Sequence, residues 1–132
     1  AKYGEKIVSE ERIVVHDAYV DEDMTFKGIL PSGGELWVNK LVDEADLLIS
    51  EGFIEPHFFA GFLGGRKSVL PGIASKKTVL WNHNAKFIAN QNARAGSLKE
   101  NPIHKDMLFA AKQAGIAFIL NVIINSVISK LQ

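Results

Sequence analysis

Apolar positions along the chain fall into runs whose spacing separates helix from strand. The clearest helical pattern covers 102–114, where Ile103, Met107, Leu108, Ala111 and Ala114 recur at three- and four-residue intervals on one face. Asn101 precedes it as an N-cap, and Pro102 occupies the first helical position, where no N–H is needed. Gly115 ends it, as a residue able to turn left-handed. The run 116–124 follows at once, apolar without alternation, and predicts a strand buried on both faces. Residues 46–54 predict a second strand of the same kind. Strand, helix and strand with short joins form a βαβ pattern, which implies a parallel sheet.

The rest of the chain reads less sharply. Residues 7–15 alternate loosely, carry the β-branched run Ile13, Val14, Val15, and predict a strand. Residues 16–27 are acidic and loop-like. The turn Pro31-Ser32-Gly33-Gly34 joins 26–30 to 35–39 as a β-hairpin. Residues 41–45 predict a short helix or turn, and 66–73 one helical span that Pro71 and Gly72 end. Residues 76–81 suit either a short strand or a short helix, and 84–91 are helical. The expected fold class is α/β: a partial Rossmann-like parallel sheet with flanking helices and a β-hairpin, in a single domain over 1–132.

Composition narrows the partners. Apolar residues make up 47% of the 132, enough for one core. Lys plus Arg and Asp plus Glu number 15 each, for a formal net charge of zero. Neither nucleic acid nor an anionic membrane is therefore expected as a partner, since both demand a basic surface. Cysteine is absent, which excludes disulfides, thiolate metal sites and cysteine nucleophiles. That absence fits a reducing compartment, and a cytoplasmic location is expected. The start shows no basic stretch followed by an apolar one, and the apolar run 116–124 is too short to span a bilayer. The first residue is Ala and 125–132 stop in mid-pattern, so a segment of a longer protein is expected.

Chemistry concentrates in residues 52–72, GFIEPHFFAGFLGGRKSVLPG. Glu55 and His57 fall just beyond the predicted strand 46–54, at the edge where open α/β sheets bind ligands. Gly61, Gly64 and Gly65 permit a tight turn, and a helix starting near Arg66 would favour an anion at its free N–H groups. Gly61, Lys67 and Ser68 match a phosphate-loop pattern, but Arg66 stands where its second glycine belongs, which argues against a Walker-type hydrolase. His57 reads as a catalytic group or as a partly buried histidine bonded to backbone. His83, between Asn82 and Asn84, reads as a metal ligand or as a cap of the next helix. Lys67 is a phosphate clamp, a nucleophile of lowered pKa or an exposed cation; Arg66 reads as an exposed basic residue. His104 reads as structural or an anion contact, and His16 as a surface residue. No His-Glu-x-x-His or paired-carboxylate spacing occurs, so hydrolytic zinc chemistry has no support.

The stretch 52–75, Asn82-His83, Ala93-Arg94-x-Gly96-x-Leu98 and Asn101-Pro-Ile-His-x-Asp-Met107 together resemble, in this order, the nickel-pincer lactate racemase family. The resemblance implies racemisation or epimerisation of a 2-hydroxy acid by proton-coupled hydride transfer. It implies a cofactor, the nickel pyridinium-3,5-bisthiocarboxylic acid mononucleotide, attached covalently at Lys67, with His83 as the nickel ligand. It makes His57 one of two catalytic acid/base histidines, and Gly64, Gly65, Arg66 and Ser68 cofactor-binding, with loop amides and Arg66 or Arg94 on the phosphate. Cofactor-synthesis enzymes are the implied partners for maturation. Leu63 departs from the small polar residue expected there. The family's other catalytic histidine, its Asp-x-Thr-Arg-Pro motif and its carboxy-terminal domain have no counterpart in 1–132. The chain is thus expected to be part of an amino-terminal catalytic domain and inactive alone. The alternative is a phosphate- or nucleotide-binding module that uses the 61–67 loop without redox chemistry.

Overall fold

The computed structural model describes residues 4–123. The element order is α1 (Glu5–Glu10), a 3-10 turn at Asp21–Asp23, β1 (Met24–Ile29), β2 (Glu35–Asn39), α2 (Leu41–Glu44), β3 (Leu48–Phe53), β4 (Pro56–His57) and β5 (Gly61–Phe62). A second 3-10 turn at Gly65–Ser68, α3 (Lys76–Asn82), α4 (Ala85–Ile88), α5 (Pro102–Gln113) and β6 (Ile116–Val122) complete it. The fold is α/β. β3 and β6 pair in parallel, while β1–β2 and β4–β5 are antiparallel.

Helix α5 starts where its local signals place it. Asn101 accepts the N–H groups of Ile103 and His104, Pro102 opens the helix, and Gly115 takes φ 78. Its buried face is Ile103, Asp106, Met107 and Ala110, with Ala114 at the boundary. Leu108, expected on that face, is exposed, because the core-facing stripe runs through 103, 107, 110 and 114. The hairpin forms as expected, with Met24 opposite Asn39 and Phe26 opposite Trp37. Residues 73–75 then lie against β2: Asn39 N–H reaches Ile73 O at 2.8 Å and Ser75 N–H reaches Trp37 O at 2.9 Å. Leu30, Leu36, Val38, Val69, Leu70, Ile103 and Met107 fill the core between hairpin, α5 and the 69–74 turn.

Several expectations are corrected. The strand predicted at 7–15 is absent: 5–10 are helical and 11–15 irregular and exposed, since β-branched residues hold a strand only beside another strand. The loop predicted over 16–27 ends early, at β1. The span 66–73 contains one 3-10 turn rather than a longer helix, because Pro71 lacks the N–H that continuation requires. Residues 76–81 resolve as helix α3, capped by Ser75, whose side chain accepts from Thr78 N–H. The 84–91 helix is confined to α4. β3 and β6 run parallel as expected but are largely exposed, with Ile49, Phe118 and Leu120 open. A two-stranded sheet offers no second layer to cover them. Ile124 and residues 125–132 lie outside the described residues, as do 1–3. No described helix is long and apolar enough to cross a membrane.

The expected and observed faces of α5 are separable by experiment. Met107→Ala should destabilise the fold by about 2–5 kcal/mol. Leu108→Ala should stay within about 0.5 kcal/mol. Urea unfolding of the two variants measures the difference, and equal losses contradict the observed face.

Candidate functional site

Beyond β3 the chain doubles back through β4 and β5, and this turn carries His57. Its Nδ1 accepts the backbone N–H groups of Ala60 at 3.2 Å and Phe59 at 3.4 Å. The reading of His57 as a half-buried ring bonded to backbone is therefore met, and the neutral ring so held keeps its proton on Nε2. Phe58 stacks on the imidazole, centroids 4.7 Å apart. Phe59 meets it edge-on at 4.5 Å and meets His83 edge-on at 5.2 Å. One phenyl ring thus stands between the two imidazoles. The Phe59 carbonyl is tied to α5 by Asn101 Nδ2–H at 2.8 Å.

His83 closes α3, its backbone N–H bonded to Val79 O at 2.9 Å. The cap of α4 is Asn84, whose side chain accepts from Phe87 N–H, so the capping role considered for His83 belongs to its neighbour. His83 Nδ1 is buried with no well-directed hydrogen bond.

The glycine turn brings Lys67 to the same region. Gly64 takes φ 109, and a Cβ on Gly65 would overlap the Ile119 side chain of β6. Gly65 N–H donates to Asn121 Oδ1 at 3.1 Å and Lys67 N–H to Gly64 O at 2.9 Å. Both amides are thereby committed within the protein, and only one 3-10 turn follows. This is poor support for a phosphate cradle at 61–67. Ser68 Oγ accepts from Ser50 Oγ at 2.7 Å, which fastens the turn to β3. Half-buried Lys67 lines an open pocket of about 300 Å³ with Gly52, Glu55, Leu63 and Gly64. A slightly larger cavity, between Met24, Trp37, Ser75 and Lys77, holds none of these groups.

Arg66 is half-buried rather than exposed as expected. Its Nη2 donates to Ala60 O at 3.0 Å and Phe62 O at 2.8 Å, bracing the turn that carries His57, and its Nε is buried without a partner. Arg94 is exposed. His16, expected at the surface, is half-buried between the Ala74 carbonyl and the Asn39 amide, 3.1 and 3.2 Å from its ring nitrogens. Sequence reasoning missed Asn121, the partners of Asp106 and the bond from Asn101 to Phe59. The available signal was a polar side chain inside an otherwise apolar strand or helix face.

The cluster is basic and dry. Burial lowers the pKa of His57, and the charges of Lys67, His83 and Arg66 lower it further. Burial and Arg66 lower Lys67. Burial and Lys67 lower His83, against a weaker opposing pull from the Val79 carbonyl. His104, in the first turn of α5, is pushed down to about 4 by burial and then by Arg66, and its Nδ1 is buried without a partner. No carboxylate figures among the causes of these shifts. The arrangement favours neutral imidazoles, a lysine amine more easily deprotonated than usual, and an incoming anion.

A family model described as the lactate racemase N-terminal domain matches residues 1–96. The chain is 62% identical over 126 residues to a lactate racemase of Thermoanaerobacterium thermosaccharolyticum, covering 96% of this chain and 30% of that protein. It is 60% identical over 124 residues to a lactate racemase of Lactiplantibacillus plantarum, covering 94% of this chain and 29% of that one. The solved lactate racemase apoprotein from T. thermosaccharolyticum matches with a TM-score of 0.91 at 62% identity, over 93% of this chain and 30% of its own. A protein from Thermotoga maritima, 24% identical, shares the fold alone at a TM-score of 0.71, over 92% of this chain and 35% of its own. The chain therefore spans about three-tenths of the length of the curated relatives it matches.

The depressed histidines set a pH dependence. The folded pKa of His104 is about 4 against an ordinary 6.5, so between these values the unfolded chain binds the extra proton. Stability should be fully present above pH 6.5 and be lost as pH falls towards 4, with His57 and His83 adding in the same direction. Denaturation at stepped pH should show a shallower acid slope for His104→Gln than for wild type. An unchanged slope contradicts the assignment.

Proposed function

The chain belongs to the lactate racemase N-terminal-domain family, and from that membership we propose that it supplies part of the active site of a 2-hydroxy-acid racemase or epimerase. The observation that carries the reading is that His57 and His83 meet one ring, Phe59, while Lys67, from a third segment, lies near enough for its charge to depress both imidazoles. Lactate is the substrate named for the relatives, and a small 2-hydroxy acid fits a site that favours an anion.

The residues suit a nickel-pincer nucleotide better than a bare ion. Among the described residues no group of three His, Cys, Asp or Glu side chains could hold a metal. A single imidazole is enough only where the other donors come from an organic group, as a pincer nucleotide would supply them. In this reading His83 gives that imidazole, which its buried, unpartnered Nδ1 supports. Lys67 is, in this reading, the tether, which its lowered pKa supports: the neutral amine, the form that can be acylated, is more accessible. Gly64, Gly65, Arg66 and Ser68 shape the turn beneath it. When bound, the group supplies a hydride acceptor beside the substrate carbon.

This chain's own part in the proton transfer falls to His57. With its Nδ1 occupied by two backbone amides, Nε2–H is available as a donor suited to the oxygen on the substrate's second carbon. To take the hydroxyl proton the ring must shed its two long amide bonds, so that Nδ1 carries a proton and Nε2 offers its lone pair. Inversion needs a second acid/base group on the opposite side of that carbon. Neither His16, tied to Ala74 and Asn39, nor His104, beside Arg66, provides one, so this reading takes it from outside the described residues. Enzymes that build the cofactor are the partners this reading requires.

The test is intact and peptide mass analysis of the full-length protein, matured with nickel and the cofactor-building enzymes. An adduct on Lys67 carrying nickel and sulfur is expected, lost in Lys67→Ala together with racemisation. His57→Ala should keep the adduct and lose racemisation. An unmodified Lys67 in active wild-type protein rejects the reading.

A further inference from the structure

Asp106 is a fully buried acid on the core face of α5, where an apolar side chain would serve packing alone. It is held instead by directed bonds. Its Oδ1 accepts Ser32 N–H at 3.1 Å, and its Oδ2 accepts Ser32 Oγ–H at 2.6 Å and Asn82 Nδ2–H at 3.1 Å. Trp81 donates its indole N–H to the same Ser32 hydroxyl at 2.8 Å. Trp81 and Asn82, the two residues before His83, therefore both end in the Asp106–Ser32 network. Asn82 is itself fully buried, with a second, longer contact to Ile103 O at 3.4 Å. One turn earlier on the same helix, Asn101 fixes the Phe59 carbonyl, and the Phe59 ring lies against both imidazoles.

We infer that Asp106 is a positioning residue for His83, clamping the end of α3 to α5 and the hairpin turn so that the imidazole is held in register with His57 and Lys67. The consequence for metal binding rests on the reading of His83 given above; the clamp itself does not. Losing the carboxylate leaves α5 packed, since Ile103, Met107 and Ala110 remain, but frees the α3 end to shift. Residues that orient a metal-binding histidine typically carry about 10–100-fold in affinity or activity.

The experiment compares Asp106→Asn with Leu36→Val, a core change in β2 that removes none of the bonds of the Asp106 network, in the full-length protein. In cofactor-free protein, carbethoxylation of His83 by diethyl pyrocarbonate, mapped by peptide mass and referenced to His16, should quicken several-fold in Asp106→Asn and not in Leu36→Val. In matured protein, kcat should fall about 10–100-fold at little-changed KM, with a shifted nickel absorption band, while Leu36→Val keeps both. Should Asp106→Asn fail to fold, Ser32→Ala removes the hydroxyl that donates to Asp106 and accepts from Trp81, keeps the backbone bond, and carries the same comparison. His83 labelling equal to wild type overturns the inference with or without cofactor. An absent Lys67 adduct in wild type rejects the function proposed for the site but leaves the labelling to decide on Asp106.

Discussion

Two polar side chains without solvent exposure, Asn101 and Asp106, sit near the start of one helix, and each buried polar atom left unpaired costs about 1–3 kcal/mol. The remaining structure follows from where they find partners. Asn101 finds the Phe59 and Ser97 carbonyls and two amides of its own helix. Asp106 finds the hairpin turn and the end of α3. Apolar contacts alone would let these segments slide, because hydrophobic burial has no direction. Hydrogen bonds of fixed geometry remove that freedom, so α5 is the frame on which the histidine turn, the hairpin and the α3 end are hung.

The electrostatics of the cluster pull the other way. His57, Lys67, His83 and Arg66 repel one another when charged, and none of their pKa shifts is relieved by an acid. Such an arrangement weakens the empty fold and strengthens it once an anion enters, a pattern common where binding outranks stability. The framework around α5 is what allows the repulsion to persist.

Elements with local signals were legible in the sequence. α5 announces itself through Asn101, Pro102 and Gly115, and the hairpin through Pro31 to Gly34, because capping and turn chemistry act within a few residues. The parallel pairing of β3 and β6 was legible from the helix that leads into β6, although β4, β5, α3 and α4 also lie between them. Their burial was not, since it depends on what covers a sheet. The β-branched run 13–15 misled for the same reason: propensity without a neighbour makes no strand. Within the site, His57, Lys67 and His83 stood out by residue type and setting. Arg66 was misread as exposed because nothing nearby in sequence shows that its guanidinium braces two carbonyls. Asn121 was missed, and Asp106, though within a recognised motif, was given no role, because the partners lie 56 and 74 residues away.

Those separations also set a timetable. The amide of Gly65 is held by a side chain 56 residues further along, so a chain emerging from synthesis carries the lysine turn long before it carries the strand that shapes it. Closing so long a loop is slow relative to local helix formation, and contacts of this span form late. The turn therefore takes its final geometry only after β6 has docked beside β3. The shape of the lysine turn is thus a property of the chain through β6, not of residues 61–68 alone.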